Sequence, residues 1–256
     1  MNEEIKQERI KKIRDMAIII DNDHVKTRIL SALDAINNPK QGPIVTNAIK
    51  ETRKAEGGRY RDLALELANL AYEIALADSR YRSSTPYFLG ELCVLLRFKG
   101  EDETIIRKIN DFFEKVESDE LPLTSKQRNY LAVTLAHAYK GKGDISQGIR
   151  ILENLRSSAI NVLEALAELY YVDNKPGKTI ELLKEQKKLT VNMAFWLAKS
   201  YLSLSQREKA LQVLEPFKSN PKINNFYQEI STEYQQVKVR SGITVSYTHL
   251  TLPTKA

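Results

Sequence analysis

The sequence predicts an all-α protein, and three observations carry that prediction. Leu, Lys, Glu and Ala, all good helix formers, are among the commonest of its 256 residues. Apolar residues recur every three or four positions, the spacing of one helix face, from the first turns onward. A short block of the pattern L-A-x-x-Y returns three times at constant spacing. The totals agree: 42% hydrophobic and 28% charged residues make a globular balance, and 10 glycines with 8 prolines are few for a β-protein built on tight turns. A chain of this length can bury a substantial core.

The helices follow in order. Ile10, Ile13, Ala17 and Ile20 form one stripe, ended near Asp21-Asn22-Asp23. Val25, Ile29, Leu33 and Ile36 form a second, stopped at Asn37-Asn38-Pro39. A third, short helix is expected from Pro43 to about Lys54, since proline suits a first helical turn. Glu56-Gly57-Gly58 breaks the chain and marks a linker. Arg61 to Asp78 is Leu/Ala-rich on much of its circumference, as suits a helix packed on two sides. Pro86–Phe98 and Glu103–Val116 read as a helical pair, and Ser118–Leu123, polar and holding Pro122, as a second break. Thr124-Ser125-Lys126-Gln127 has the form of a capping box, the Thr124 hydroxyl taking an orphan amide while Gln127 reaches back. The organisation expected is an N-terminal helical region (1–55), helical hairpins (60–123) and three repeats with a capping helix (124–238).

The repeats are Leu135-Ala136-His137-Ala138-Tyr139, Leu166-Ala167-Glu168-Leu169-Tyr170 and Leu197-Ala198-Lys199-Ser200-Tyr201. Their tyrosines stand 31 residues apart twice (170 − 139 and 201 − 170). Gly148, Thr179 and Ala210, all small, keep that spacing, and so do Leu152, Leu183 and Leu214. Such a pattern describes stacked helical hairpins. Small residues let two helix backbones approach, and each hairpin must lean on a neighbour to bury its apolar face. Ile223, Phe226, Tyr227, Ile230 and Tyr234 continue as an amphipathic helix, capping the last repeat or opening another.

The pattern resembles the tetratricopeptide repeat (TPR), whose first helix carries Leu, a small residue and Tyr, and whose second carries a small residue. Gly143-Asp144-Ile145-Ser146-Gln147-Gly148-Ile149 and Ser205-Gln206-Arg207-Glu208-Lys209-Ala210-Leu211 are similar to that family's turn into the second helix. Departures exist: the 31-residue period is shorter than the usual spacing of about 34, Ala132, Leu163 and Ala194 stand at the early aromatic position, and the repeat-ending proline is missing. The resemblance covers residues 128–217, with Phe88–Val116 a degenerate hairpin of the same kind.

That resemblance implies a right-handed α-α superhelix, a TPR-like hairpin solenoid whose first helices line a concave groove for a protein or peptide partner. Carried across, the groove positions are Tyr130, Val133, His137 and Lys140 in the first repeat. They are Asn161, Glu164, Glu168 and Tyr171 in the second, and Asn192, Phe195, Lys199 and Leu202 in the third. The family's carboxylate clamp for chaperone tails needs cationic or amide side chains at several of these places, and Glu164 and Glu168 argue against it. A protein-interaction scaffold or adaptor is the leading expectation. A regulatory or sensor module of a longer protein, an RNA-binding helical repeat and a helical enzyme remain alternatives.

No residue set points to catalysis, a cofactor or a metal. Cys93, the single cysteine, sits in the apolar run Leu92–Leu96 and reads as a small buried hydrophobe. His137 lacks partners at metal-ligand spacing on its own helix. His24 follows Asp21-Asn22-Asp23, which lacks the Gly and the distant Glu of a calcium loop and reads as a helix cap. Gly141-Lys142-Gly143 follows no strand and precedes no Gly-Lys-Ser/Thr, so it is no phosphate loop. A net charge of +6, from 39 basic against 33 acidic residues, is spread along the chain and is a weak nucleic-acid argument. No signal-peptide core or membrane-length apolar run is present, so a cytoplasmic protein without membrane contact is expected. Val245 to Thr254 resembles the in-frame translation of a transposon-end sequencing adapter; residues 245–256 are expected to be a non-native tail, and the natural chain to continue past Thr244.

Overall fold

The computed structural model describes residues 2–117 and 123–240, all of it helix and turn without a strand. The expected non-native tail at 245–256 lies outside the described residues, as does most of the break at Ser118–Leu123. Packing divides the chain between Ala165 and Leu166 into two compact units.

In the first unit the stripes read from the sequence become helices whose apolar faces are hidden. Helices α1 (Glu3–Ile18) and α2 (Asp23–Ala35) bury Ile10, Ile13 and Ala17, and Val25, Ile29 and Leu33; Ile36 is buried just beyond α2. Asn22 caps α2 by accepting a bond from the Val25 amide at 3.0 Å, which accounts for the polar run before His24. Helix α3 (Gly42–Lys54) has Pro43 in its first turn. Helix α4 (Arg61–Ala77) buries residues on both sides, including Leu63, Leu67, Leu70 and Ile74, and packs against α1, α3 and α5 (Thr85–Phe98). Helix α6 (Asp102–Glu117) packs against α5 and against α7 (Ser125–Gly141), and α7 against α8 (Ile145–Asn154). One apolar core runs continuously from Ile10 to Ala138.

Glu56-Gly57-Gly58 lies inside this unit as a pinned turn. All three residues have positive φ (46°, 66° and 98°), a conformation that two glycines adopt without penalty. Around it the Tyr60 hydroxyl donates to Asp21 at 2.8 Å, the Asn22 amide to Glu56 at 2.6 Å, and Arg59 to both carboxylates. Nearer the core, Arg53 donates to Glu91 at 3.0 and 3.2 Å with both side chains largely shielded, an ion pair joining α3 to α5. Cys93 is fully buried, and burial pushes its thiol up to about 12, so it remains a thiol at neutral pH.

The three repeats are three hairpins of like construction: α7 with α8, α9 (Ile160–Val172) with α10 (Pro176–Leu183), and α11 (Val191–Ser203) with α12 (Arg207–Leu214). Ala136, Ala167 and Ala198 are fully buried in all three. So are Leu152, Leu183 and Leu214, each at 1% exposure or less, and that equivalence fixes the register. Each first helix ends in the same cap. The amide five residues on returns to the carbonyl of Tyr139 (2.9 Å), Tyr170 (2.8 Å) or Tyr201 (2.8 Å), and a second amide returns to Lys140, Tyr171 or Leu202. The second amide belongs to one left-handed residue, Gly143 (φ 84°), Asn174 (φ 56°) or Ser205 (φ 57°). This is the Schellman arrangement, which satisfies the last carbonyls of a helix before a sharp turn. The capping box before α7 is also present: Thr124 accepts from the Gln127 amide at 3.3 Å, and the Thr124 amide donates to Gln127 at 2.9 Å.

In the second unit, Thr179 at the small position of α10 donates its hydroxyl to the Ala167 carbonyl at 3.1 Å, tying the two helices of that hairpin together. Lys178 lies over the Tyr170 ring and Lys209 over the Tyr201 ring, the same contact one repeat apart. Helix α13 (Pro221–Arg240) closes this unit, burying Ile223 and Ile230 with Ala194, Ala198, Ala210 and Leu214.

Candidate functional site

The positions expected to face a partner have different fates in the three repeats. In α7, Tyr130 lies on α5: a Cβ built on Gly90 would stand 2.1 Å from its ring, so the glycine is what makes room for it. Burial, with the Glu91 carboxylate nearby, pushes its hydroxyl up to about 12. Tyr130 thus packs against α5 while remaining half-buried. Val133, His137 and Lys140 are half-buried on the same helix. On α9, Asn161 is exposed, and Glu164, Glu168 and Tyr171 are half-buried. On α11, Asn192 is exposed, while Phe195, Lys199 and Leu202 are half-buried.

Three of these residues come together in the second unit. Asn192, Phe195, Lys199 and Leu202 fall at i, i+3, i+7 and i+10, one stripe of α11, and Trp196 lies beside it. The Tyr171 and Trp196 ring centroids are 5.4 Å apart. Phe195 meets Trp196 edge-on at 5.1 Å, and Phe226 of α13 lies 5.3 Å from Phe195. Phe195, Phe226 and Leu202 rest on the buried core of this unit, so the cluster has a fixed base. Over it sits the Lys199 ammonium, 4.9 Å from the Phe195 centroid and 5.5 Å from those of Tyr171 and Trp196. Each distance is within cation–π range, where the negative ring faces attract the charge.

Trp196 and Phe226 lie outside the positions expected from the sequence. Trp196 is the only tryptophan and follows Phe195 directly, which is the signal that could have marked it. Phe226 belongs to a visible amphipathic stripe, but its neighbour is not visible there, because that contact spans 31 residues (226 − 195).

The site offers apolar ring surface and one cation. Among the described residues no group of three or more His, Cys, Asp or Glu side chains could hold a metal ion, and no helix is long and apolar enough to cross a membrane.

No family model matches the sequence, and no curated protein matches it. A solved structure is similar in fold: the nearly identical TPR-like repeats assigned to a kinesin light chain of Podosopora anserina. It aligns with a TM-score of 0.55 over 78% of this chain and 99% of that one, at 16% identity. With the equivalent hairpins and caps, this shows a TPR-like, all-α helical-repeat fold.

Proposed function

We propose that the chain is a protein-interaction scaffold, working in the cytoplasm without a cofactor, and that the aromatic cluster of the second unit is a contact point for a partner segment. The observation that carries this reading is the half-buried state of Tyr171, Phe195, Trp196 and Phe226. Aromatic side chains held on a fixed base, with part of their area still wet, supply interface energy at little entropic cost. A TPR-like fold agrees, since its hairpins present one helix face per repeat outside the core. Tyr130, Val133, His137, Lys140, Asn161, Glu164, Glu168, Asn192 and Leu202 are proposed as further contact positions of their own repeats, and 1–55, 60–123 and 124–238 as the organisation of the chain.

Affinity purification with the wild type and with Trp196→Ala tests the reading. Proteins retained by the wild type should be lost or reduced about tenfold in the variant, the effect of removing one buried aromatic anchor. Far-UV circular dichroism should be unchanged. Identical retained proteins in both samples would remove the cluster from the interface.

A further inference from the structure

The cluster differs from the rest of the surface in how its cation is held. Elsewhere, lysines meet single carboxylates, as Lys12 with Glu66, Lys99 with Asp62 and Lys142 with Glu103, each at 2.9 Å, or single rings, as Lys178 with Tyr170 and Lys209 with Tyr201. Lys199 meets three ring faces. Ring faces attract an ammonium but leave its charge in place and accept its N–H groups only weakly. An ammonium seated over three rings on a half-buried side chain is therefore poised to gain from an incoming anion. The rings beside it are apolar, so the same occupant should bring apolar area within a residue or two of its charge.

Resting on the scaffold reading above, we propose that Tyr171, Phe195, Trp196 and Lys199 dock a protein segment in which an acidic side chain neighbours an apolar one. The carboxylate pairs with Lys199, and the apolar group lies against Trp196 and Phe195. A nucleic acid would stack bases on the same rings but needs a row of cations to track its phosphates, whereas among the described residues Lys199 is the one cation seated on this cluster.

Selection from a bead-bound library of short synthetic peptides, with wild type, Lys199→Met and Lys199→Glu as baits, tests the assignment. Trp196 fluorescence then reports affinity directly, because it is the only tryptophan. The wild type should enrich Asp or Glu beside Leu, Ile or Phe. Lys199→Met should bind the selected peptides about tenfold more weakly with a shallower salt dependence, and Lys199→Glu should shift selection to Lys or Arg. Charge-indifferent or basic wild-type selections, or an acidic preference surviving in Lys199→Glu, would overturn the acidic assignment and leave the scaffold reading standing. Binding of oligouridine with no peptide selected, or no selection by any of the three baits, would overturn both.

Discussion

The two units use aromatic side chains differently. Between α1 and α6, Phe88 and Phe112 are fully buried and stand among Ile13, Ile29, Leu67 and Leu92 in one large core. In the second unit Tyr170 is buried, but the cluster under α13 is half alanine (Ala194, Ala198 and Ala210 with Leu214, Ile223 and Ile230), and Phe195, Phe217 and Phe226 remain at its margin. The first arrangement spends bulky side chains on filling space between irregularly placed helices. In the second, alanines bring helices close, and larger rings are left where another molecule could reach them. On the scaffold reading proposed above, stability and recognition are carried by different residues in different regions.

Truncating a core phenylalanine should have the largest effect. Phe112→Ala is expected to destabilise the first unit by about 3–5 kcal/mol, the loss of transfer energy plus a cavity that rigid neighbours fill only partly. Urea unfolding followed by circular dichroism would show it. Trp196 fluorescence, which reports only the second unit, should shift much less. Equal shifts in both signals would mean that the two regions unfold as one and that their contrasting use of aromatic rings has no energetic counterpart.

Overpacking a repeat should cost less. Ala167 is fully buried, and its carbonyl accepts the Thr179 hydroxyl, so Ala167→Trp has no room without separating α9 from α10. A loss of about 1–3 kcal/mol is expected, now seen mainly in Trp196 fluorescence or, to avoid the added tryptophan, in hydrogen exchange of α9–α12. Unchanged stability would mean that the repeat register placing Ala136, Ala167 and Ala198 alike is wrong.

What is legible in the sequence divides along the same physical line. Contacts at i+3 and i+4 leave a periodic trace, so the stripes of α1 and α2, the capping box of Thr124 and the 31-residue equivalence of the tyrosines follow from residue spacing alone. Contacts between distant helices leave none. Nothing local marks Arg53 and Glu91 as partners across 38 residues, or Gly90 as the floor beneath Tyr130. Tyr130 occupies a position equivalent to the exposed Asn161 and Asn192, yet its ring packs against Gly90 of α5 and is half-buried. At the aromatic cluster the stripe Phe195–Lys199 is visible in the sequence, whereas the convergence of Tyr171, Trp196 and Phe226 depends on three helices meeting.

The smallest effect belongs to the caps, and there the three repeats can be compared with one another. All three place one residue at positive φ, but only Gly143 does so without a steric penalty; Asn174 tolerates it through its short polar side chain, and Ser205 does not share that advantage. Ser205→Gly should therefore stabilise the third hairpin by about 1 kcal/mol, Asn174→Gly the second by less, and Gly143→Ser should destabilise the first by about the same 1 kcal/mol. Urea midpoints at constant m-value would give the order. If Ser205→Gly were destabilising, the extra freedom of glycine in the unfolded chain would outweigh the relief of backbone strain, and the three caps would be equal in geometry but not in what holds them.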